Sequence, residues 1–147
     1  MAKEDVIRLR EETGAGVMEC KRAFEEAGGD FVKAKKIIEE KGAAKAEKRE
    51  GRETSAGRIE AYIHNGRVGA LLELKSETDF AAKSEPFTEL THNLVLQLAA
   101  MPALNEEEFL TQAFIRDETK TVKDLITEVI AKVGENVKLG KFYRIEL

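Results

Sequence analysis

The sequence is short of the groups from which reaction centres, export signals and nucleic-acid surfaces are usually built. A single cysteine, Cys20, stands among 147 residues, which excludes an internal disulfide and gives no reason to expect an oxidising compartment. That points to an intracellular protein. His64 and His92 are the two histidines, and neither falls in an HxxxH, CxxC or other ligand spacing, so no metal site is expected. Neither GxxxxGK(S/T) nor GxGxxG occurs, so a nucleotide site on a glycine-rich loop has no support and the chain is not expected to be a GTPase itself. No segment approaches the roughly 20 apolar residues of a membrane helix, and the charged N-terminus MAKEDVIRLREE lacks the apolar run of a signal peptide. Acidic residues outnumber basic ones, 28 to 24, so nucleic acid is not the default partner. Cys20 sits on an apolar stripe with no histidine near it in sequence, which reads as a small core residue rather than a nucleophile. Catalytic residues, cofactors and metals are all expected to be absent, and an enzyme is hard to assemble from these parts.

What is present is a soluble pattern, 42% hydrophobic and 35% charged, in a length that suits one or two small domains. Residues 1–42 read as three short helices. Val6 and Leu9 share a face of the first, which ends at Thr13-Gly14-Ala15-Gly16. Val17, Cys20, Phe24 and Ala27 recur at helical spacing in the second, closed by Gly28-Gly29. Asp30 is a natural N-cap for a third that carries Phe31, Ala34 and Ile38 and ends near Gly42. So small a bundle can only just cover its own apolar faces, which makes it a docking module in outline. Residues 43–56, AAKAEKREGRETSA, hold no large apolar residue and read as a charged linker or solvated helix.

From residue 57 the period changes from about 3.6 to 2. Ile59, Ala61 and Ile63 alternate with polar residues, Asn65-Gly66 favours a type I′ turn, and Val68, Ala70, Leu72 and Leu74 alternate on the return. A two-residue loop would set Ile63 against Val68, Ile59 against Leu72, Arg58 against Glu73 and Tyr62 against Gly69. Ser84 and Pro86 then open a helix with the stripe Phe87, Leu90, Leu94 and Leu98. A weaker helix follows Asn105 and includes Phe109, Ala113 and Phe114, and a third runs from a Thr121/Asp124 capping box to Gly134. The tail KFYRIEL alternates as a strand. The whole reads as an α+β domain over 57–147 in which a narrow antiparallel sheet has a bare face or exposed edges, and self-association would resolve that.

Between the second strand and the next helix lies SETDFAAKSEPF, residues 76–87. Thr78 or Asp79 can cap a helix beginning at Phe80, with the ring turned into the core. Alternatively the cap lies at the rim of the fold and the small Ala81-Ala82 leave the ring free as an aromatic anchor for a partner.

Three stretches resemble the elongation factor Ts family: LREETGAGVMECKRAFEEAGGDFVKAKKIIEEKG, GALLELKSETDFAAKSEPF with its TDF motif, and KVGENVKL, in the family's order from about Leu9 to Leu139. The resemblance implies a ubiquitin-associated-like three-helix domain followed by a core of the family's dimerisation-domain type. It implies one core subdomain where long members carry two, and hence a homodimer. It implies guanine-nucleotide exchange on elongation factor Tu, GDP-bound and nucleotide-free, in translation elongation. Thr78, Asp79, Phe80 and Ala81 would enter the partner's G domain beside switch II and disturb its Mg²⁺, while Leu9, Arg10, Val17, Met18 and Lys21 would grip a second surface. Val17, Ala81 and Arg22-Ala23-Phe24 depart mildly from the family's pattern. A dimeric GTPase-binding or chaperone-like module without exchange activity is the alternative, and an RNA-binding role for Lys45, Lys48, Arg49 and Arg52 is a further one. A start at Met1 without an Arg-rich, acid-poor leader suits a bacterial cytoplasm.

Overall fold

The computed structural model describes residues 3–147. Helices α1 (Lys3–Thr13), α2 (Val17–Glu26) and α3 (Phe31–Arg49) close around Val6, Leu9, Cys20, Ala23, Phe24, Ala34 and Ile38. The turns between them follow local chemistry. Gly14 takes φ 72°, whereas Gly16 stays at φ −67° and needs no special freedom. Gly28 and Gly29 both have positive φ, and the Gly29 N–H returns 2.9 Å to the Phe24 carbonyl, satisfying a group the helix end would otherwise orphan. Asp30 caps α3 by accepting from the Lys33 N–H at 3.1 Å.

Helix α3 does not stop at Gly42. It runs on through residues 43–49, so the stretch expected as linker or solvated helix divides, and residues 50–55 carry neither helix nor strand. A glycine followed by Ala43, Ala44, Lys45, Ala46 and Glu47 meets good helix formers and no breaker. Gly42 is buried, and a Cβ there would lie 3.6 Å from that of Ala131 on α7 (Val122–Val133), so its small size lets the two helices lie close. Ala46 then packs against the core of the second layer.

That layer is an antiparallel sheet of β1 (Ala56–His64), β2 (Val68–Ser76) and β5 (Val137–Glu146) in the order β1-β2-β5. Asn65 and Gly66 take φ 51° and 64°, and the Arg67 N–H donates to the His64 carbonyl, so the type I′ turn forms. Arg67 nevertheless stays outside the pairing, and His64 faces Val68. The register is therefore displaced by one residue from a two-residue loop: Ile63 faces Gly69, Tyr62 faces Ala70, Ile59 faces Glu73 and Arg58 faces Leu74. A one-residue slip turns a strand over. Ala70, Leu72 and Leu74 are buried, while Ile59 and Ile63 lie on the opposite face with Leu71, Tyr143 and Ile145.

The helices α4 (Asp79–Ala82), α5 (Glu85–Ala100) and α7 cover one face of this sheet, which makes the domain α+β with helices on one side. Phe87, Leu90, Leu94 and Leu98 of α5 and Val122, Ile126, Val129 and Ile130 of α7 build the core with Leu72 and Leu74. Ser84 sits at the N-cap of α5 without capping it, its hydroxyl donating 2.6 Å back to the Ala81 carbonyl. Helix α6 (Glu106–Thr111) is capped by Asn105 and buries Phe109, but Ala113 and Phe114 leave it for β3 (Ala113–Phe114), which pairs with β4 (Asp117–Thr121). Gln97 explains the change. Fully buried, it donates to the Ala113 carbonyl at 3.1 Å and accepts from the Ile115 N–H at 2.9 Å, meeting main-chain groups that a helix would have consumed internally. Thr121 and Asp124 form the expected capping box, and Gly134 ends α7 at φ 75°.

Candidate functional site

Strand β2 ends at a braced corner. Ser76 is fully buried and donates 2.8 Å to the Thr78 carbonyl, which stops the strand and turns the chain. The Thr78 hydroxyl accepts from the Ala81 N–H at 3.3 Å, so Thr78, rather than Asp79, is the N-cap of α4. Ala81 and Ala82 are buried on the core side. The helix then throws its first two side chains outward: Asp79 is exposed and Phe80 is 88% exposed. The aromatic ring is therefore not a core residue. None of the hydrogen bonds that fix the corner uses the side chain of Asp79 or Phe80, which leaves both free for another molecule.

Two residues that sequence reasoning gave no role complete the brace. The Glu135 carboxylate accepts the Thr78 N–H at 2.9 Å through one oxygen and the Thr78 O–H at 2.7 Å through the other. The Asn136 N–H donates to Glu77 Oε1 at 2.8 Å, and its buried side-chain amide donates to the carbonyls of Glu50 and Arg52. The segment after α7 thus ties the corner to the chain that leaves α3. Gly134 marked that segment as a helix end, but no local pattern shows that its two polar residues reach back some 57 to 86 positions.

A second surface lies between α1 and α2. Arg10, Val17 and Lys21 line a groove with Val6 and Ile7, and Met18 stands exposed beside it. Leu9 is different: it is fully buried inside the bundle and offers no atom to a partner. Its place on the apolar stripe with Val6 makes it a packing residue that holds α1 in place. Ile7, half exposed in the groove, is one helical position off that stripe, so the periodicity that found the core passes over it.

The remaining candidates are accounted for locally. Burial pushes the Cys20 thiol above its ordinary pKa, the reverse of an activated nucleophile. His64 meets the Tyr62 hydroxyl at 2.8 Å and His92 meets Glu60 at 3.0 Å. Of the basic residues after Gly42, Lys45 pairs with Glu19, Arg49 donates to the Ile130 carbonyl and Arg52 lies 3.6 Å from Glu77, so three of the four are engaged within the fold. Among the described residues no group of three or more His, Cys, Asp or Glu could hold a metal ion, and no helix is long and apolar enough to cross a membrane.

Fold and surfaces define a class by architecture: a helical bundle joined through one long helix to a one-sided α+β layer that holds an acid and a ring outside its core. The chain belongs to the elongation factor Ts family. The family model for elongation factor TS matches residues 77–147, from the braced corner to the last strand. Elongation factor Ts of Thermotoga petrophila is 42% identical over 186 aligned positions, covering 97% of this chain and 94% of the relative, and that of Thermotoga maritima matches to the same extent. A chloroplastic polyprotein of EF-Ts from Oryza sativa subsp. indica is 37% identical over 97% of this chain, which corresponds to 17% of the polyprotein. The 186 aligned positions exceed the 147 residues here, so the Thermotoga proteins carry residues within the shared span that this chain lacks. Membership gives the chain a role in translation elongation and hence in protein biosynthesis.

Proposed function

We propose that this protein promotes guanine-nucleotide release from elongation factor Tu without making or breaking a covalent bond. Phe80 acts as a wedge beside switch II, and Asp79 approaches the groups that position Mg²⁺. That ion bridges phosphate oxygens and tolerates little departure from octahedral geometry, so a small displacement of its surroundings weakens nucleotide binding greatly. The observation that carries this reading is the 88% exposure of Phe80 on a corner held by four hydrogen bonds. A large apolar side chain so presented loses contact with water only when a partner arrives.

Residues 1–42 form a second foothold through Arg10, Val17, Met18 and Lys21, with 57–147 as the core unit. Two footholds matter because linkage is reciprocal: a factor that weakens GDP binding is itself weakened by GDP in the same ratio, typically about 1 to 3 kcal/mol of coupling. The bundle supplies affinity that survives this loss, and incoming GTP then expels the factor. The bare sheet face, where Ile59, Ile63 and Ile145 are each well over half exposed, supports a homodimer built face to face.

The test is the rate of fluorescent GDP release from elongation factor Tu. Wild type accelerates it, and Phe80→Ala lowers that acceleration by about tenfold or more while circular dichroism stays unchanged. Wild type that binds the GTPase yet leaves GDP release untouched would establish the non-exchanging binding module instead.

A further inference from the structure

We infer that Glu135 is a positioning residue that sets the aim of the Asp79-Phe80 pair, an inference that rests on the exchange reading above. Helix α4 spans four residues, Asp79–Ala82. A single turn fixes several dihedrals for few hydrogen bonds and has no stability of its own. Its direction must be imposed from outside, and Ala81 and Ala82 are too small to do that by packing alone. Two side chains from outside the helix hold its N-cap: Ser76 of β2 holds the Thr78 carbonyl, and Glu135, 57 positions further along the chain, takes both the Thr78 N–H and its O–H.

The chemistry of the grip is directional. A carboxylate only accepts, and its two oxygens take the Thr78 N–H and O–H together. With its proton committed to Glu135, the Thr78 hydroxyl turns its lone pairs toward the Ala81 N–H and caps α4. One charged group thereby fixes both the main chain before the helix and the capping atom that starts it. Asn136, the next residue, binds Glu77 and the carbonyls of Glu50 and Arg52, so the clamp stands on the same segment that anchors the end of α3. The Phe80 ring stands exposed beside this clamp in sequence and shares none of its bonds.

The clamp matters for the rate rather than the grip. Binding to the partner is spread over the bundle and the corner, whereas prising at the Mg²⁺ site depends on where the ring points, and misplacement of about 1 Å is enough to lose a large factor in rate. Glu135→Ala is expected to lower the maximal GDP-release rate by about fivefold or more with little change in the half-saturating concentration. Thr78→Val, which removes the hydroxyl, should act alike, and the double variant should be no worse than either single one because both break one unit. Glu135→Gln, which keeps one acceptor oxygen, should recover part of the rate.

A second readout is independent of exchange. In the free protein the Ala82 and Lys83 amides bond to the Thr78 and Asp79 carbonyls, and Glu135→Ala should speed their hydrogen exchange while the α5 and α7 amides keep wild-type protection. Unchanged protection of α4, or a wild-type maximal rate for Glu135→Ala, overturns the inference while the Phe80→Ala result leaves the exchange reading standing. Failure of wild type to accelerate GDP release overturns that reading and, with it, any role of the clamp in exchange. If Glu135→Ala loses its fold, Thr78→Val and Glu135→Gln decide the matter by the same two measurements.

Discussion

Phe80 and Cys20 show how differently one hydrophobic or polarisable side chain behaves on either side of the protein surface. Phe80→Ala removes a ring that touches little of its own chain, so unfolding free energy should move by no more than about 0.5 kcal/mol in a denaturant titration. Cys20 is sealed in the bundle and its thiol pKa is raised by burial. An acid whose folded pKa is raised binds its proton more tightly folded than unfolded. The associated stability is complete below the ordinary thiol pKa and declines as pH rises above it toward the folded value. Urea midpoints followed from pH 7 to 10 should therefore fall more steeply for wild type than for Cys20→Ala, and alkylation of the native thiol at pH 7 should be slow until denaturant is added. Cys20 was legible as a core residue from its stripe alone. Leu9 was legible in the same way, yet the family pattern also suggested it as a contact, and only its burial separates those roles.

Three helices here obey their local caps, Ser84 of α5 being the exception, and one ignores its punctuation where packing overrules it. Asp30, Asn105 and Thr121 each accept the N–H three residues on, as their positions suggested. Thr121→Ala should cost about 1 kcal/mol, because the Asp124 N–H loses the hydroxyl that accepts it, while the reciprocal bond from the residue 121 N–H to the Asp124 carboxylate can persist. Gly42 is the opposite case, a stop signal buried in mid-helix against Ala131. A Cβ fits at ordinary contact distance, so Gly42→Ala should stabilise the protein by about 0.5 to 1 kcal/mol through reduced backbone freedom in the unfolded chain. Denaturant titration of both variants checks the signs. What stayed hidden depended on distant partners: Arg67 left out of the hairpin pairing, the β3-β4 ribbon held by Gln97, and the Glu135 clamp on Thr78. Alternation located both hairpin strands but could not choose their faces, since each strand has an apolar set and a single unpaired residue decides between them.

For the molecule as a whole, the sheet face carries the largest consequence. Ile59, Ile63, Leu71, Tyr143 and Ile145 lie together on the side that, among the described residues, no helix covers. If two copies meet there, Ile63→Lys with Ile145→Lys should convert a dimer to a monomer in sedimentation equilibrium while each chain stays folded; a wild type already monomeric at tens of micromolar removes the proposal. The bundle and the corner are likewise held in one frame, because α3 begins in the first core and ends against the second. A helix of this kind works as a keyed shaft. Each residue added between Ile38 and Gly42 would rotate the bundle by about 100° and advance it by about 1.5 Å. One extra residue points the groove away from its original bearing, whereas seven nearly restore the bearing at a longer reach. The compass setting between the α1–α2 groove and the Phe80 corner is thus written in the number of residues along one rod.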